Sequence, residues 1–254
     1  MSDDLRAGPV AQALGDRAVR AYPALLSTEA TAMAWARDAA PDGAVIVADY
    51  QASPRGRGGL PWTVAPGRGL GFSVVLRPAL APEREGWPYV AASLALADVI
   101  GPRTRLRWPD AVVGADQDRP LAQLGVHVEL GPARTEWITI TVLVEDATPP
   151  RAPLLARIVQ AIEERLAQPG PSVLAVYRPH CATLGHHTRA LLIPMGPAGL
   201  AVEGEAVDVL DDGALVLLTV RGSRVAVLPQ NLGLLGPPAE SVHPPERILG
   251  RWTR

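Results

Sequence analysis

Apolar positions along the chain follow two spacings. Short apolar runs bounded by glycine and proline predict strands: AVIVADY (44–50), LGFSVVLRP (70–78), TRLRW (104–108) and AVVG (111–114). QLGVHVEL (123–130) and WITITVLV (137–144) flank GPART and predict an antiparallel hairpin. LLSTEATAMAWARDAAPDG predicts a helix with Ser27 or Thr28 as N-cap, Glu29 in the first turn, and Pro41 and Gly43 as stops. GWPYVAASLALADVIG (86–101) is apolar on most faces and predicts a largely buried helix. APLLARIVQAIEERLA aligns Leu155, Val159, Ile162 and Leu166 on one helical face, with Glu163, Glu164 and Arg165 off it. The first twenty or so residues show neither spacing and are expected as a loosely packed lead-in.

QPGPS (168–172) is the best candidate for a domain boundary. Beyond it, SVLAVYRPHCATLG leads into the β-type runs RALLIP, GLAVEGEAVDVL, ALVLLTV and SRVAVLP. DDG (211–213) and RGS (221–223) are hairpin signals. This pattern predicts a small all-β module of SH3-barrel size at 173–235, after a larger domain at 1–168. The proline-rich remainder, 236–254, is expected to be irregular.

Composition narrows the function classes. With 254 residues, 48% of them hydrophobic and 20% charged, the chain can bury a large core and is not disordered throughout. A formal net charge of -2 supplies no basic field for nucleic acid. The polar start MSDDLRAGPV carries no run long enough for a signal peptide or a membrane span. Cys181 is the one cysteine, so no internal disulfide forms, in keeping with a reducing compartment; the expectation is a cytoplasmic protein. There is no lysine: all 24 basic side chains are arginine. Chemistry that needs a lysine, such as a Schiff base or a P-loop lysine, is excluded.

Three segments could carry chemistry. Arg55-Gly56-Arg57-Gly58-Gly59 directly follows a predicted strand. Glycines let a ligand approach the backbone and arginines hold phosphate or carboxylate bidentately, although a solvated surface loop would read the same way. Trp108 could stack on a base and Asp110 could hold magnesium, or the pair could be a buried aromatic beside a proline turn. His180, Cys181, His186 and His187 lie close together, but their spacing matches no zinc pattern. Alternation along its strand puts His127 on the face of Gly125 and Glu129, opposite Val126 and Val128.

In their order and spacing, from about residue 25 to about residue 230, these segments resemble the biotin protein ligase family. LLSTEATA is similar to the family's serine–threonine helix start. VADYQASPRGRGGLPW resembles the adenylate loop, usually Q-x-x-G-R-G-R-x-G-R-x-W, and LGFSVVLRP the strand that follows it. RLRWPDAVV resembles the K-W-P-N-D segment and QLGVHVEL the strand ending K-x-A-G-I-L-x-E. YRPHCATLG with GEAVDVLDDGALVL resembles the join to a C-terminal barrel.

The resemblance implies an α+β fold. A mixed or antiparallel sheet flanked by helices, of the class II synthetase-like biotin/lipoate ligase type, is followed by a small SH3-like barrel. It also implies ATP-dependent activation of biotin to biotinyl-5′-AMP, with Mg2+, and transfer to a lysine of a biotin carboxyl carrier domain. No membrane or nucleic-acid partner follows from it, and without the DNA-binding domain of some members no repressor role. Position by position, it places Ser27, Thr28 and Gln51 on the biotin ring, and Arg55, Gly56 and Arg57 in the adenylate loop with Arg57 on the phosphate. Trp62 covers the adenine, Trp108 and Pro109 match their motif, and Gly125 passes close to the ligand with His127 on the same strand. Arg107 stands at the motif lysine as a catalytic cation, and Asp110 at the metal position.

Several positions depart from the family pattern. Pro54 replaces the first loop glycine, and Asp110 and Ala111 replace the asparagine and aspartate. Ala122 stands at the lysine of K-x-A-G-I-L, and Leu143 and Glu145 stand in the strand that usually reads G-x-G-x-N. Leu143 is expected to intrude on ligand space. Two functions fit: a working ligase with arginines in place of lysines, or a repurposed member without adenylation that binds another small acid or nucleotide or serves as a non-catalytic partner.

Overall fold

In a computed structural model that describes residues 2–62, 67–116, 119–195 and 199–237, the apolar runs assemble edge to edge into a seven-stranded sheet. Its strands are β1 (Val19–Leu25), β2 (Ala44–Gln51), β3 (Leu70–Leu76), β4 (Thr104–Arg107), β5 (Ala111–Gly114), β6 (Pro120–Leu130) and β7 (Thr135–Val144), in the order β1-β2-β3-β7-β6-β5-β4. β1 and β2 run parallel and the other neighbours antiparallel, so the sheet is mixed, as expected.

The helices are α1 (Ala7–Leu14), α2 (Thr28–Arg37), α3 (Trp87–Ile100), α4 (Ala152–Ala167) and α5 (Gly170–His180). Phe72, Val74, Ile138, Ile140, Val142 and Leu124 pack with α3 and α4 on one face. On the other face Ala32 and Ala36 of α2 pack on Ile46, Val75 and Trp137. Burial on both faces explains why β3 reads as a continuous apolar run rather than an alternation. Ser27 is the N-cap of α2, its hydroxyl accepting from the Ala30 amide at 3.5 Å.

Two expectations need correction. The first twenty residues are not a loose lead-in. They form α1 and the start of edge strand β1, with Leu5, Val10 and Leu14 buried in the main core. Only Leu5, Val10 and Leu14 are buried there, with Ala13 and Val19 partly so, and their spacing is too sparse to stand out as a period. SVLAVYRPHCATLG does not lead straight into strands, since its first part lies in α5, which buries Val173, Leu174 and Tyr177 at helical spacing.

After α5 a second, five-stranded antiparallel sheet forms from β8 (His187–Leu192), β9 (Ala201–Val209), β10 (Leu215–Leu218), β11 (Arg224–Val227) and β12 (Leu232–Gly236), in the order β11-β10-β9-β8-β12. β12 matches no run picked out in the sequence. The proline-rich tail lies outside the described residues from position 238 onward.

The amino-terminal segment is held by Arg151, whose side chain is fully buried. It donates to both Asp4 oxygens at 3.0 and 2.9 Å, to Asp49 at 3.0 Å and to the Gly69 carbonyl at 2.8 Å. The hydrogen bond from Arg151 holds the Asp4 carboxyl below its ordinary value. Arg151→Ala removes the guanidinium from the part-buried Asp4 and Asp49, which keep their bonds from the residue-151 amide and from Ser2, and should lower stability in urea by about 3 kcal/mol near neutral pH. Because the Asp4 value is depressed on folding, its share is fully present above the ordinary 3.8 and is lost as pH falls through the folded value. The gap between variant and parent should therefore narrow in acid; a gap of the same size throughout would show that Asp4 is not the partner that matters.

Candidate functional site

The loop at 55–59 is seated by two close backbone approaches. Gly56 hydrogen-bonds through its amide to the Leu60 carbonyl at 2.8 Å, and its α-carbon lies directly under the Trp62 indole, where a side chain would clash. A Cβ on Gly125 of β6 would stand 2.9 Å from the Gly56 carbonyl carbon and 3.0 Å from the Arg57 nitrogen. The loop therefore lies flat on β6, where the strand side needs glycine at 125, while Gly56 is needed for the Trp62 indole that covers it.

Its two arginines behave differently. Arg55 is exposed and donates to the Gly59 carbonyl at 3.0 Å. Arg57 is only 6% exposed. Its Nε donates to Asp110 Oδ2 at 2.9 Å, and its two terminal nitrogens donate to the carbonyls of Leu232 and Gly233 in β12. The resemblance puts Arg57 on a phosphate; here its guanidinium joins the loop to the W-P-D turn and to the second sheet. Burial pushes the Asp110 carboxyl up, and the pull of Arg57 only partly offsets this.

These segments wall a cavity of about 730 Å³. Trp62, Arg107, Asp110, Arg119, Gln123 and Glu145 line it, and Leu234 and Leu235 of the second sheet close it. Trp108 also borders it but is buried, with Nε1 donating to the Gly213 carbonyl at 3.0 Å and its amide donating to Thr183 Oγ1 at 2.9 Å. The buried-aromatic reading describes Trp108 better than base stacking does. Arg119 and Glu145, which sequence reasoning did not select as site residues, form an ion pair of 2.6 Å across the cavity rim.

Ala122 is fully buried with Leu124 in the main core, while Gln123, Gly125 and His127 project from the opposite face of β6. A side chain at 122 therefore points away from the cavity, and Gln123 occupies the cavity face. His127 does not line the cavity. Its ring lies 5.4 Å from that of Trp137, and its shielded Nε2 has no hydrogen-bond partner, with Glu129 Oε2 at 3.6 Å.

Beside the loop, a buried chain of polar side chains crosses the sheet face under the start of α2. Gln51 Oε1 accepts from the Thr28 amide at 2.8 Å and from Thr28 Oγ1 at 3.1 Å. Ser73 Oγ lies 3.0 Å from Thr28 Oγ1 and 2.7 Å from Thr141 Oγ1. Ser73 and Thr141 were not selected from the sequence; the available signal was a hydroxyl inside an apolar run, which Thr139 shares with Thr141. Gly71 leaves the space that the Gln51 amide fills, and Leu143 is buried next to it. Leu143 takes up room beside Gln51 and does not line the 730 Å³ cavity. Burial pushes the Glu29 carboxyl up to about 7, against the pull of Arg55.

No group of three or more His, Cys, Asp or Glu gathers into a metal cluster among the described residues. Cys181 is buried, and His180 Nδ1 lies 2.8 Å from the Val176 carbonyl, so a zinc site at the His180–His187 segment is not assembled.

No family model matches the chain. It is 31% identical over 229 residues to the biotin--[acetyl-CoA-carboxylase] ligase of Mycobacterium tuberculosis, an alignment spanning 79% of this chain and 83% of that protein. It is 29% identical over 114 residues, 43% of this chain and 35% of the relative, to the bifunctional ligase/repressor BirA of Bacillus subtilis. Among solved structures, the biotin protein ligase from Aquifex aeolicus in complex with biotin and ATP superposes with a TM-score of 0.65 at 20% identity, covering 87% of this chain and 99% of that one. The biotin acetyl coenzyme A carboxylase synthetase from Helicobacter pylori superposes with a TM-score of 0.59 at 17% identity, covering 84% and 100%. At these identities the two structures show a common fold.

The seating of the loop on β6 has a direct consequence. Gly125→Val should lift the Gly56–Arg57 backbone, cost about 2 kcal/mol in urea denaturation, and speed tryptic cleavage after Arg57, read by mass spectrometry. Unchanged cleavage would mean that the loop does not rest on Gly125.

Proposed function

We propose that this chain, which belongs to the biotin protein ligase family, activates biotin with ATP and passes it to a lysine of a biotin carboxyl carrier domain. The likeness to the mycobacterial ligase along most of the chain carries this reading, and the cleft beside the arginine loop supports it.

In the first step a biotin carboxylate oxygen bonds to the α-phosphorus of ATP, the bond to the β-phosphate breaks, and pyrophosphate leaves. In the second the lysine amine bonds to the acyl carbon of biotinyl-5′-AMP, the bond to AMP breaks, and the amine gives up a proton. Both partners of the first step are anions, so fixed positive charge must meet them. The adenylate is prone to hydrolysis, so a cover must exclude water. In our reading, Ser27, Thr28 and Gln51 at the start of α2 hold the biotin ring. The loop at 55–59 lies over the acyl phosphate, with Arg57 fixing the loop to Asp110 and β12 and Gly125 leaving room for the Gly56–Arg57 backbone; Trp62 covers the adenine. Arg107, exposed on the cavity wall, is the cation at the family's lysine position.

Magnesium does not fit the residues at its motif position. Asp110 is bonded to Arg57 and pushed toward its neutral form, and Ala111 offers no side-chain oxygen. The charge of the cleft is therefore assigned to guanidinium groups.

The same reading makes the five-stranded sheet an SH3-like module at 173–235, behind a catalytic domain at 1–168. It places the protein in the cytoplasm with a carrier domain as its partner and no nucleic acid. Among the described residues no helix is long and apolar enough to cross a membrane.

The test is direct. The chain with biotin, ATP and a biotin carboxyl carrier domain should yield a carrier heavier by one biotinyl group, with no gain when either small molecule is omitted. Failure of both labelling and biotin-dependent pyrophosphate exchange would leave only the non-adenylating alternative. Arg107→Ala should raise the KM for ATP by about tenfold or more, the loss expected for one charge-assisted contact. An unchanged KM would remove Arg107 from the site.

A further inference from the structure

We infer that Arg119 is a catalytic residue that brings to the reacting carboxylate and α-phosphate the positive charge that a lysine carries elsewhere in the family. This rests on the ligase reading. The chain contains no lysine, and Ala122, at the aligned position, faces the core with no exposure. A substitution at 122 could not be compensated on the same strand face, so the charge must come from another element.

Among the arginines at this end of the sheet, Arg57 has its guanidinium committed to Asp110 and to β12. Arg55 is exposed, bonded to the Gly59 carbonyl, and outside the cavity wall. Arg107 lies on the β4 wall, where the family already has a cation. Arg119 stands on another wall, at the entry to β6 and next in chain to the strand that carries Ala122 and Gln123.

Its tether favours movement. Arg119 Nη2 meets Glu145 Oε2 at 2.6 Å, with the arginine side chain 80% exposed and the glutamate 20% exposed. Glu145 is fixed at the end of β7, its amide donating to the Leu121 carbonyl at 3.0 Å. An arginine this exposed is held weakly by one carboxylate and exchanges readily to a phosphate, which it can grip with two parallel hydrogen bonds. The pair also separates the 730 Å³ cavity from a neighbouring one of about 390 Å³, both of which it lines. Glu145 thus parks the guanidinium at the rim until an anionic substrate takes it.

The experiment measures biotin-dependent ATP–pyrophosphate exchange on the full chain, with biotin binding by calorimetry and thermal melting alongside. Arg119→Ala should lower the kcat of exchange by about 100-fold, the scale for losing one preorganised charge donor, with biotin affinity and melting temperature close to wild type. Arg119→Lys should recover part of that loss, because the charge returns without the fork. Glu145→Gln should speed exchange severalfold at subsaturating ATP by releasing Arg119. A wild-type kcat in Arg119→Ala overturns the assignment and leaves the ligase reading standing, as does a loss in Glu145→Gln equal to that in Arg119→Ala. No exchange by the wild-type chain overturns the ligase reading and the assignment with it.

Discussion

A guanidinium buried at Arg57 constrains everything around the cleft. A buried cation is tolerated only when acceptors surround it. Those acceptors come from Asp110, between β4 and β5, and from the Leu232 and Gly233 carbonyls of the second sheet. Three segments distant in sequence must therefore meet at one side chain. The Trp108 indole, bonded to the Gly213 carbonyl, ties the same turn to the second sheet again. The cleft is consequently a joint product of both sheets, with Leu234 and Leu235 closing a wall that the main sheet lacks.

The polar face beside the loop depends on a different economy of space. Ala32 and Ala36 bring α2 close to the sheet, and the capped start of the helix then lies over Gln51, Ser73 and Thr141. Each hydroxyl in that buried row is satisfied by the next, which permits polar atoms in an otherwise apolar layer. The orphan amides of the first turn add partial positive charge at the same end.

With no lysine in the chain, its permanent side-chain positive charge is carried by guanidinium groups. Arginine is planar and permanently protonated, and it binds through a fork; a lysine ammonium is a point charge. An exchange between them moves the charge as well as changing its shape. Here Ala122 faces the core, and the arginines of the cavity wall stand on β4 and at the entry to β6.

Strand and helix spacing by themselves determined most of the main sheet, the β6–β7 hairpin, and α2, α3 and α4, because each buries enough apolar surface to impose a clear period. The ordered motifs likewise singled out the loop, the W-P-D turn and Gly125, without saying which strands bring them together. Tertiary structure decided the rest. α1 and the start of β1 depend on a few contacts and the distant Arg151, and α5 on a surface that α3 presents. The partners of Arg57, the inward turn of Ala122 and the Arg119–Glu145 pair depend on strand register and on which sheet faces the cleft. Those quantities arise from contacts between residues far apart along the chain, and a local period carries no record of them.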